Sequence, residues 1–366
     1  MANLEVKSQM SPWQLGIMIA AIGIGTEVMA GGRTSIENAG ENAWQAFLLG
    51  GLIYCGITLV MARLGEYFPN QDLLDYMPKL WGKLIGSLII AVYVSLFLGY
   101  FTLATANFSR LIGSFMFDRT PHEVIALTMV MVCVYCALQD LGTNLRVIQL
   151  VSLITIPLFM LVFFTGFLSF QSENLMPLLP KDIMKFLKAV PDTWGAYAGY
   201  EIVLMLLPLV NRGRTSLSKP IIAGFAIMAF VFSTFSLITV GVLTAENAKT
   251  ISYPAIEVVR FVELPGTFLE RLEIYLLSAW IPNIFTTLVI YLYIAANVLR
   301  RLSKHEDHRP WVLLLAPWML FASTILIELT IPFKAMGKAI QTLGLAFSFI
   351  IIPASLFLAW RKKRKV

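Results

Sequence analysis

The sequence has few charged residues and only three cysteines. Charged residues make up 14% of its 366 residues and apolar residues 58%, whereas a soluble domain is about one quarter charged and about half apolar. This composition excludes an ordinary soluble globular domain. The cysteines, Cys55, Cys133 and Cys136, all lie in apolar stretches, which excludes a secreted disulfide framework. Cys133 and Cys136 form one isolated C-x-x-C, for which apolar packing is favoured over metal or redox chemistry.

Sequence motifs of catalysis and export are also lacking. No P-loop, H-E-x-x-H or nucleophile elbow occurs, so we expect no enzymatic activity, no cofactor and no metal site. His305 and His308 form a His-x-x-His without a cysteine partner, in a predicted loop. No small-residue cleavage site separates Lys7 from Pro12, so no cleavable signal peptide is indicated. The net charge of +6 does not indicate nucleic-acid binding, because the basic residues cluster on one side of the predicted membrane map.

The apolar residues come in blocks of about 20, the length that crosses a hydrocarbon core of roughly 30 Å. We therefore predict an all-α integral membrane protein with ten transmembrane helices. The predicted spans are 13–31, 43–65, 84–110, 122–139, 147–169, 187–209, 220–243, 273–299, 311–330 and 338–360.

The distribution of Lys and Arg predicts the orientation. With the N-terminus inside, most basic residues lie in short inner loops, and the tail 361–366 forms a basic cytoplasmic anchor that contacts lipid headgroups. Both termini are therefore expected to be cytoplasmic. Two predicted outer segments, 170–186 and 244–272, are long enough to hold structure. The helical pattern from Ser252 to Val262 indicates either a lid over the outer mouth or an interfacial helix.

Ten spans divide into two sets of five, and an odd number per set makes the second set inverted. We predict one permease-like domain with two inverted repeats, about 12–170 and about 186–360, and with interrupted helices 1 and 6. Each of these two spans carries a Gly-x-Glu, at 25–27 and at 199–201. Both motifs lie near the middle of the membrane at a rise of about 1.5 Å per residue. The alternative is that such glycines only permit close helix packing.

Acidic residues at this depth are the strongest candidates for a site. A carboxylate near the midplane costs about 2.5–3.5 kcal/mol on insertion scales. For Glu201 we expect either contact with a ligand or proton carriage, or else a structural hydrogen bond that holds the broken helix. Glu27 faces either the same cavity or the outer vestibule.

Polar residues of spans 3 and 8 complete the candidate site. Tyr100 supplies a cavity wall with a polar tip, and Thr287 binds either a ligand or its own i−4 carbonyl. The predicted ligand-binding set is Gly23, Gly25, Thr26, Glu27, Tyr100, Gly199, Tyr200, Glu201, Asn283, Thr286 and Thr287.

Three groups of residues carry a family resemblance. They are Phe268 to Glu273 with Trp280, Phe285 to Thr287, Tyr291 and Ala295 to Asn297 in span 8; Gly199-x-Glu201 followed by Leu206-Leu207-Pro208 in span 6; and Gly23 with Gly25 in span 1. On these residues the sequence resembles the B subunits of spore germinant receptors, in the amino acid–polyamine–organocation superfamily. One departure is Gly32-Arg33, where the family usually has Pro-Arg, together with the added acid Glu27.

The resemblance implies a membrane-embedded germinant sensor in the spore inner membrane. It implies an A-type receptor subunit and a C-type lipoprotein as partners, and an amino acid, sugar or nucleoside as the nutrient. By resemblance, ligand-binding roles fall on the backbone at Gly23 and Gly25, on span 3 near Tyr100, and on Thr286 or Thr287. Glu201 matches the acidic position of span 6. Two alternatives stay open: an autonomous proton-coupled amino acid or amine transporter, and an ion or water conduit gated by partners.

Overall fold

The protein is built from helices. A computed structural model describes residues 10–30, 32–211, 216–262 and 271–363, except for the side chains of Thr26, Glu27 and Ala30. Within these ranges the only β-type pairing is an isolated bridge between Met10 and Val210. The α-helices are α1 (Pro12–Glu27), α2 (Arg33–Ala39), α3 (Ala43–Glu66), α4 (Leu73–Trp81), α5 (Lys83–Phe115), α6 (His122–Ala137), α7 (Leu141–Phe164), α8 (Ile183–Asp192), α9 (Trp194–Tyr197), α10 (Val203–Leu206), α11 (Ser218–Leu243), α12 (Ala245–Ala248), α13 (Pro254–Arg260), α14 (Leu272–Leu302), α15 (Arg309–Glu328), α16 (Thr330–Ala346) and α17 (Ile352–Lys363).

Seven helical segments in the described part of the chain are long and apolar enough to cross a membrane, which makes this a multi-pass membrane protein. They are Arg33–Glu66, Lys83–Phe115, Leu141–Ser169, Ser218–Leu243, Leu272–Leu302, Arg309–Glu328 and Thr330–Lys363. Three shorter apolar helices, Pro12–Gly25, His122–Ala137 and Tyr200–Leu209, fall on the other predicted spans. Each of the ten predicted spans therefore overlaps a helical segment in the described residues.

Helix α14 lies at the centre of the bundle. Of its most apolar 18-residue window 83% is buried, against 28–56% for the other six long segments. It packs against α1, α5, α6, α7, α13 and α15. A helix surrounded by other helices cannot place its polar groups in lipid or water, and the Thr286 and Thr287 hydroxyls of α14 accordingly donate to backbone carbonyls.

The predicted interruption of span 6 is confirmed. Helix α9 ends at Tyr197, Ala198 is extended (φ −54°, ψ 145°), and Gly199 has φ 99°. A 3-10 turn, Tyr200–Ile202, then leads into α10. Glycine adopts a positive φ without a steric penalty, so Gly199 allows the helix to be interrupted at this position.

The predicted interruption of span 1 is not found at Gly23 and Gly25. Helix α1 runs without a break through Gly23 and Gly25 to Glu27, and a 3-10 turn follows at Val28–Ala30. A β-carbon at Gly25 would collide with Thr287 Oγ1 of α14, and one at Gly23 would collide with the Met228 side chain of α11. Gly23 and Gly25 therefore permit close helix packing, in agreement with the alternative interpretation of the sequence.

Polar contacts connect chain segments at the predicted inner end of the bundle. The Met10 amide donates to the Leu209 carbonyl (3.0 Å), and the Asn211 amide donates to the Met10 carbonyl (2.9 Å), which joins the start of span 1 to the end of span 6. Separately, Arg301 at the end of α14 pairs with both Asp72 and Asp75, the latter at 2.6 Å.

The Asp72 carboxyl begins helix α4, where it accepts a hydrogen bond from the Leu74 amide at 3.0 Å. Its side chain is completely buried. Burial raises its pKa to about 6, and the nearby Arg301 guanidinium, which lowers the pKa, offsets this only in part. The α4–α14 contact therefore contains a carboxyl that titrates close to neutral pH.

Candidate functional site

A cavity of about 620 Å³ lies toward the predicted outer end of the bundle. We call it the vestibule. Its wall is formed by residues 32–37 of α2 and the turn before it, Phe47 of α3, residues 100–107 of α5, residues 192–198 around the span 6 break, Tyr291 of α14, and residues 333–341 of α16. The vestibule thus reaches the interrupted helix from one side of the membrane.

Aromatic rings form the floor of the vestibule. The Tyr100 ring lies 5.3 Å from the Tyr291 ring and 5.7 Å from the Trp194 ring, measured between centroids. The Tyr291 hydroxyl donates to the carbonyl of Ala198, beside the break, at 3.3 Å. The floor is therefore in direct contact with the irregular backbone of span 6.

Glu201 lies completely buried behind this floor. Its Oε1 accepts a hydrogen bond from the Tyr100 hydroxyl (3.2 Å), and its Oε2 accepts one from the Gly199 amide (3.0 Å). A third hydrogen bond runs from the Tyr93 hydroxyl to the Glu201 backbone carbonyl at 3.2 Å. The Glu201 carboxyl group stabilises the break, because it accepts a hydrogen bond from the Gly199 amide, which has left the regular hydrogen bonding of the helix. The Tyr100 hydroxyl lies between this carboxyl group and the vestibule.

Tyr200 points away from the vestibule. Its hydroxyl donates to Ser348 Oγ at 2.8 Å, in the π-helical turn Phe347–Ile351 that joins α16 to α17. Its ring lies 5.9 Å from that of Tyr54. Tyr200 therefore ties the break to span 10 and does not line the cavity.

The predicted polar residues of span 8 pack against span 1. The Thr286 and Thr287 hydroxyls donate to the Asn283 carbonyl at 2.8 and 3.1 Å, and Thr287 Oγ1 also lies 3.3 Å from the Ile22 carbonyl. This is the backbone bonding that threonine commonly makes in helices. Asn283, Thr286 and Thr287 are buried and lie outside the vestibule lining. The structure therefore places Asn283 and Thr287 against Gly25 of α1, and leaves all three residues apart from the hydrogen bond between Tyr100 and Glu201.

Two predicted site residues, Thr26 and Glu27, have side chains that lie outside the described part of the structure. Tyr291 was missed, although it follows Thr287 by four residues and so lies on the same helix face. Trp194 was also missed, and its sequence signal is its position five residues before the Gly199 break.

Charged side chains line the mouth of the vestibule. Arg33 pairs with Glu37 at 3.3 Å and donates to the Lys249 carbonyl at 3.1 Å, while Asp192 accepts from Asn38 at 2.7 Å. Lys334 and Lys338 of α16 are exposed and line the opposite wall. In the described residues no three His, Cys, Asp or Glu side chains come together as a metal-binding group.

The predicted outer segment 244–272 is partly described. Helix α13 is not a loose surface helix, because five of its seven residues are buried against α11 and α14. Just before it, the Tyr253 hydroxyl donates to Asn107 Oδ1 of α5 at 3.1 Å. Since Asn107 lines the vestibule, this segment reaches the cavity rim; residues 263–270 lie outside the described ranges.

Comparison with known proteins gives consistent matches along the chain. A family model described as spore germination protein matches residues 9–331. Spore germination protein YndE of Bacillus subtilis (strain 168) is 26% identical over 300 residues, 82% of each chain. Spore germination protein A2 of the same organism is 29% identical over 289 residues, which is 78% of this chain and 79% of the relative. Spore germination protein KB is 22% identical over 374 positions, covering 98% of this chain and 97% of the relative.

Proposed function

Because the chain belongs to the spore germination protein family, we propose that it is the membrane-embedded germinant-sensing subunit of a spore germination receptor. Its role is recognition of a small nutrient and not catalysis. The receptor lies in the spore inner membrane and includes an A-type subunit and a C-type lipoprotein. The chain forms a single permease-like domain of ten spans in two inverted five-helix repeats, with both termini cytoplasmic.

The observation that supports this proposal is the hydrogen-bond chain from the vestibule to the break in span 6. Tyr100 faces the cavity and its hydroxyl donates to Glu201, which in turn accepts from the Gly199 amide. A nutrient that bonds to Tyr100 competes with Glu201 for that hydroxyl. Since a ligand shifts a conformational equilibrium only through its different affinity for the two states, this competition couples occupancy to the shape of the broken helix.

The remaining predicted site residues fit a second layer in this scheme. Gly23 and Gly25 pack against α11 and α14, and Thr287 bonds to α1. A nutrient that moves deeper than Tyr100 has to separate α1 from α14 along this contact. The Asn283 and Thr286 side chains then release the backbone carbonyls to which they donate and bind the ligand instead.

Removing the Tyr100 hydroxyl tests the proposal. In the Tyr100→Phe variant the ring stays and the donor to Glu201 is lost, which leaves Glu201 Oε1 buried without that partner at a cost of about 1–3 kcal/mol. We expect the nutrient concentration for half-maximal germination to change by roughly tenfold or more. The measurement is a germination dose–response in spores that carry this chain as their only copy of the subunit.

The matched control is Tyr135→Phe, which removes the same atom from a tyrosine that is 74% exposed on α6. We expect this variant to respond like the wild type. A dose–response for Tyr100→Phe that stays within a factor of two of Tyr135→Phe, at equal protein level, would argue against a sensing role for Tyr100. Normal germination with every nutrient in a strain that lacks only this subunit, and has no intact paralogue, would remove the proposed function itself.

A second candidate function is supported by the complete burial of Glu201. A buried carboxyl in a membrane protein is suited to carry a proton, as an autonomous amino acid or amine transporter requires. Purified protein in liposomes would then accumulate solute under an imposed pH gradient, and Glu201→Gln would abolish that accumulation. A conduit for ions or water would instead require that α1 and α14, which are in contact at Gly25 and Thr287, move apart.

A further inference from the structure

The two walls of the vestibule mouth differ in how their charges are balanced. On one wall, Glu37 is paired with Arg33 at 3.3 Å, and the Asp192 carboxylate accepts from the Asn38 amide at 2.7 Å. On the other wall stand Lys334 and Lys338, and no ion pair to either is formed within the described ranges. The neutral Asn38 amide leaves the Asp192 charge unbalanced, so the charged side chains of the lining, Arg33, Glu37, Asp192, Lys334 and Lys338, sum to +1, and the positive excess lies on the lysine wall.

The lysine pair is held toward the cavity by the position of α16. Lys334 and Lys338 are four residues apart, so they share a helix face, and Gly337 and Gln341 of the same face also line the cavity. The Gln341 side chain donates to the Pro191 carbonyl at 2.9 Å, which fixes this face of α16 against the end of α8. Two ammonium groups thus flank the path from the mouth to the aromatic floor.

We propose that the vestibule selects small solutes that carry a carboxylate, and that Lys334 and Lys338 bind this group. The proposal rests on the proposed function, in which the vestibule admits the nutrient. An ammonium group offers three hydrogen-bond donors and a full charge, and a cleft with low-dielectric walls concentrates counter-ions of the opposite sign. Each partly exposed charge contact is weak by itself, and the two together are expected to change the affinity for a carboxylate by about tenfold.

The experiment compares each carboxylate with its amide on the full-length protein in an uncharged detergent. The probes are L-alanine and L-leucine with their amides, succinate with succinamide, and the neutral solutes glucose and inosine, each titrated by thermal shift, since binding stabilises the folded state. For the wild type we expect about tenfold tighter binding of the carboxylate in one or more pairs. For Lys334→Gln/Lys338→Gln we expect this preference to fall to about twofold or less.

The matched control is Lys185→Gln/Lys188→Gln, which removes two exposed positive charges from α8, outside the vestibule lining. This variant is expected to keep the wild-type preference. All four lysines are exposed, so the unliganded melting temperatures should agree to within a few degrees, and a charge reversal, Lys338→Glu, should turn the preference toward the amides.

The outcomes separate this inference from the proposed function. If the wild type binds glucose or inosine as tightly as any carboxylate, or if the lysine variant keeps the full preference, the vestibule still binds a nutrient and the inference alone is overturned. If phosphatidylglycerol stabilises the wild type through these lysines and soluble carboxylates do not, the lysines bind lipid headgroups and the inference is overturned. If no probe and no germination-active extract stabilises the wild type, both this inference and the proposed function are contradicted.

Discussion

Gly199→Ala is expected to destabilise the protein by about 3 kcal/mol or more. At φ 99° an alanine is strained, at about 1–3 kcal/mol. In addition, its β-carbon would lie 2.5 Å from the Tyr291 hydroxyl oxygen and 2.7 Å from Ile22 Cγ2, and overpacking of this kind costs roughly 1–3 kcal/mol. The measurement is unfolding in detergent, by thermal melting and by titration with a denaturing detergent.

Gly56→Ala is the matched control, because a β-carbon at Gly56 meets nothing within 4 Å. Gly56 lies within α3, where alanine is a better helix former than glycine by up to about 1 kcal/mol, so no loss of stability is expected. A Tyr291→Phe change in the Gly199→Ala background removes the closest clashing atom and should recover part of the loss, while the backbone strain stays. Equal melting of Gly199→Ala and the wild type would mean that the chain does not need a positive φ at this position.

The two Gly-x-Glu motifs show what the sequence can and cannot predict. The sequence predicts both near mid-membrane in repeat-equivalent helices, yet only the one at 199–201 interrupts its helix. The difference lies in the surroundings. Gly25 faces Thr287 of α14, where a close approach of two continuous helices needs a missing β-carbon, whereas the Gly199 amide has a local acceptor in the Glu201 carboxylate. Contacts this distant in sequence are not visible in a local motif.

The vestibule charges were missed for a related reason. The sequence places residues 331–337 in an outer loop before span 10, while the structure continues the helix from Thr330. With Lys334 in that loop and Lys338 at the first residue of span 10, the two lysines indicate only a solvated surface; as helix residues four apart, they share one face toward the cavity. In contrast, Tyr100 and Glu201 were predictable as neighbours, because a polar group at mid-membrane has to find a partner in the bundle.

Arg301→Gln is expected to destabilise the protein by about 3 kcal/mol at pH 8. The variant leaves the Asp72 carboxylate buried without its cation, and breaking a buried ion pair from one side costs roughly 3–5 kcal/mol; Asp75, which also contacts Arg301, is more exposed. Arg63→Gln is the control, since Arg63 is exposed at the same predicted end of the bundle and its loss should cost under about 0.5 kcal/mol. Unfolding is measured in detergent as above.

The cost of Arg301→Gln should depend on pH, in a direction fixed by Asp72. Burial raises the pKa of Asp72 from 3.8 to about 6, so the folded state binds this proton more tightly than the unfolded state. The resulting stabilisation is fully present below about pH 4 and is lost as the pH rises through about 6. Without the Arg301 charge the pKa rises further, so the variant should be much closer to the wild type at pH 5 than at pH 8.

An Asp72→Asn change in the Arg301→Gln background separates the ion pair from the rest of the α4–α14 contact. Asparagine keeps an oxygen that can cap α4 at the Leu74 amide, and it removes the buried charge. The double variant should therefore recover most of the stability lost at pH 8 and lose the pH dependence between 5 and 8. If Arg301→Gln costs the same at both pH values, or if the double variant is no more stable than the single one, the uncompensated Asp72 charge is not what destabilises the protein.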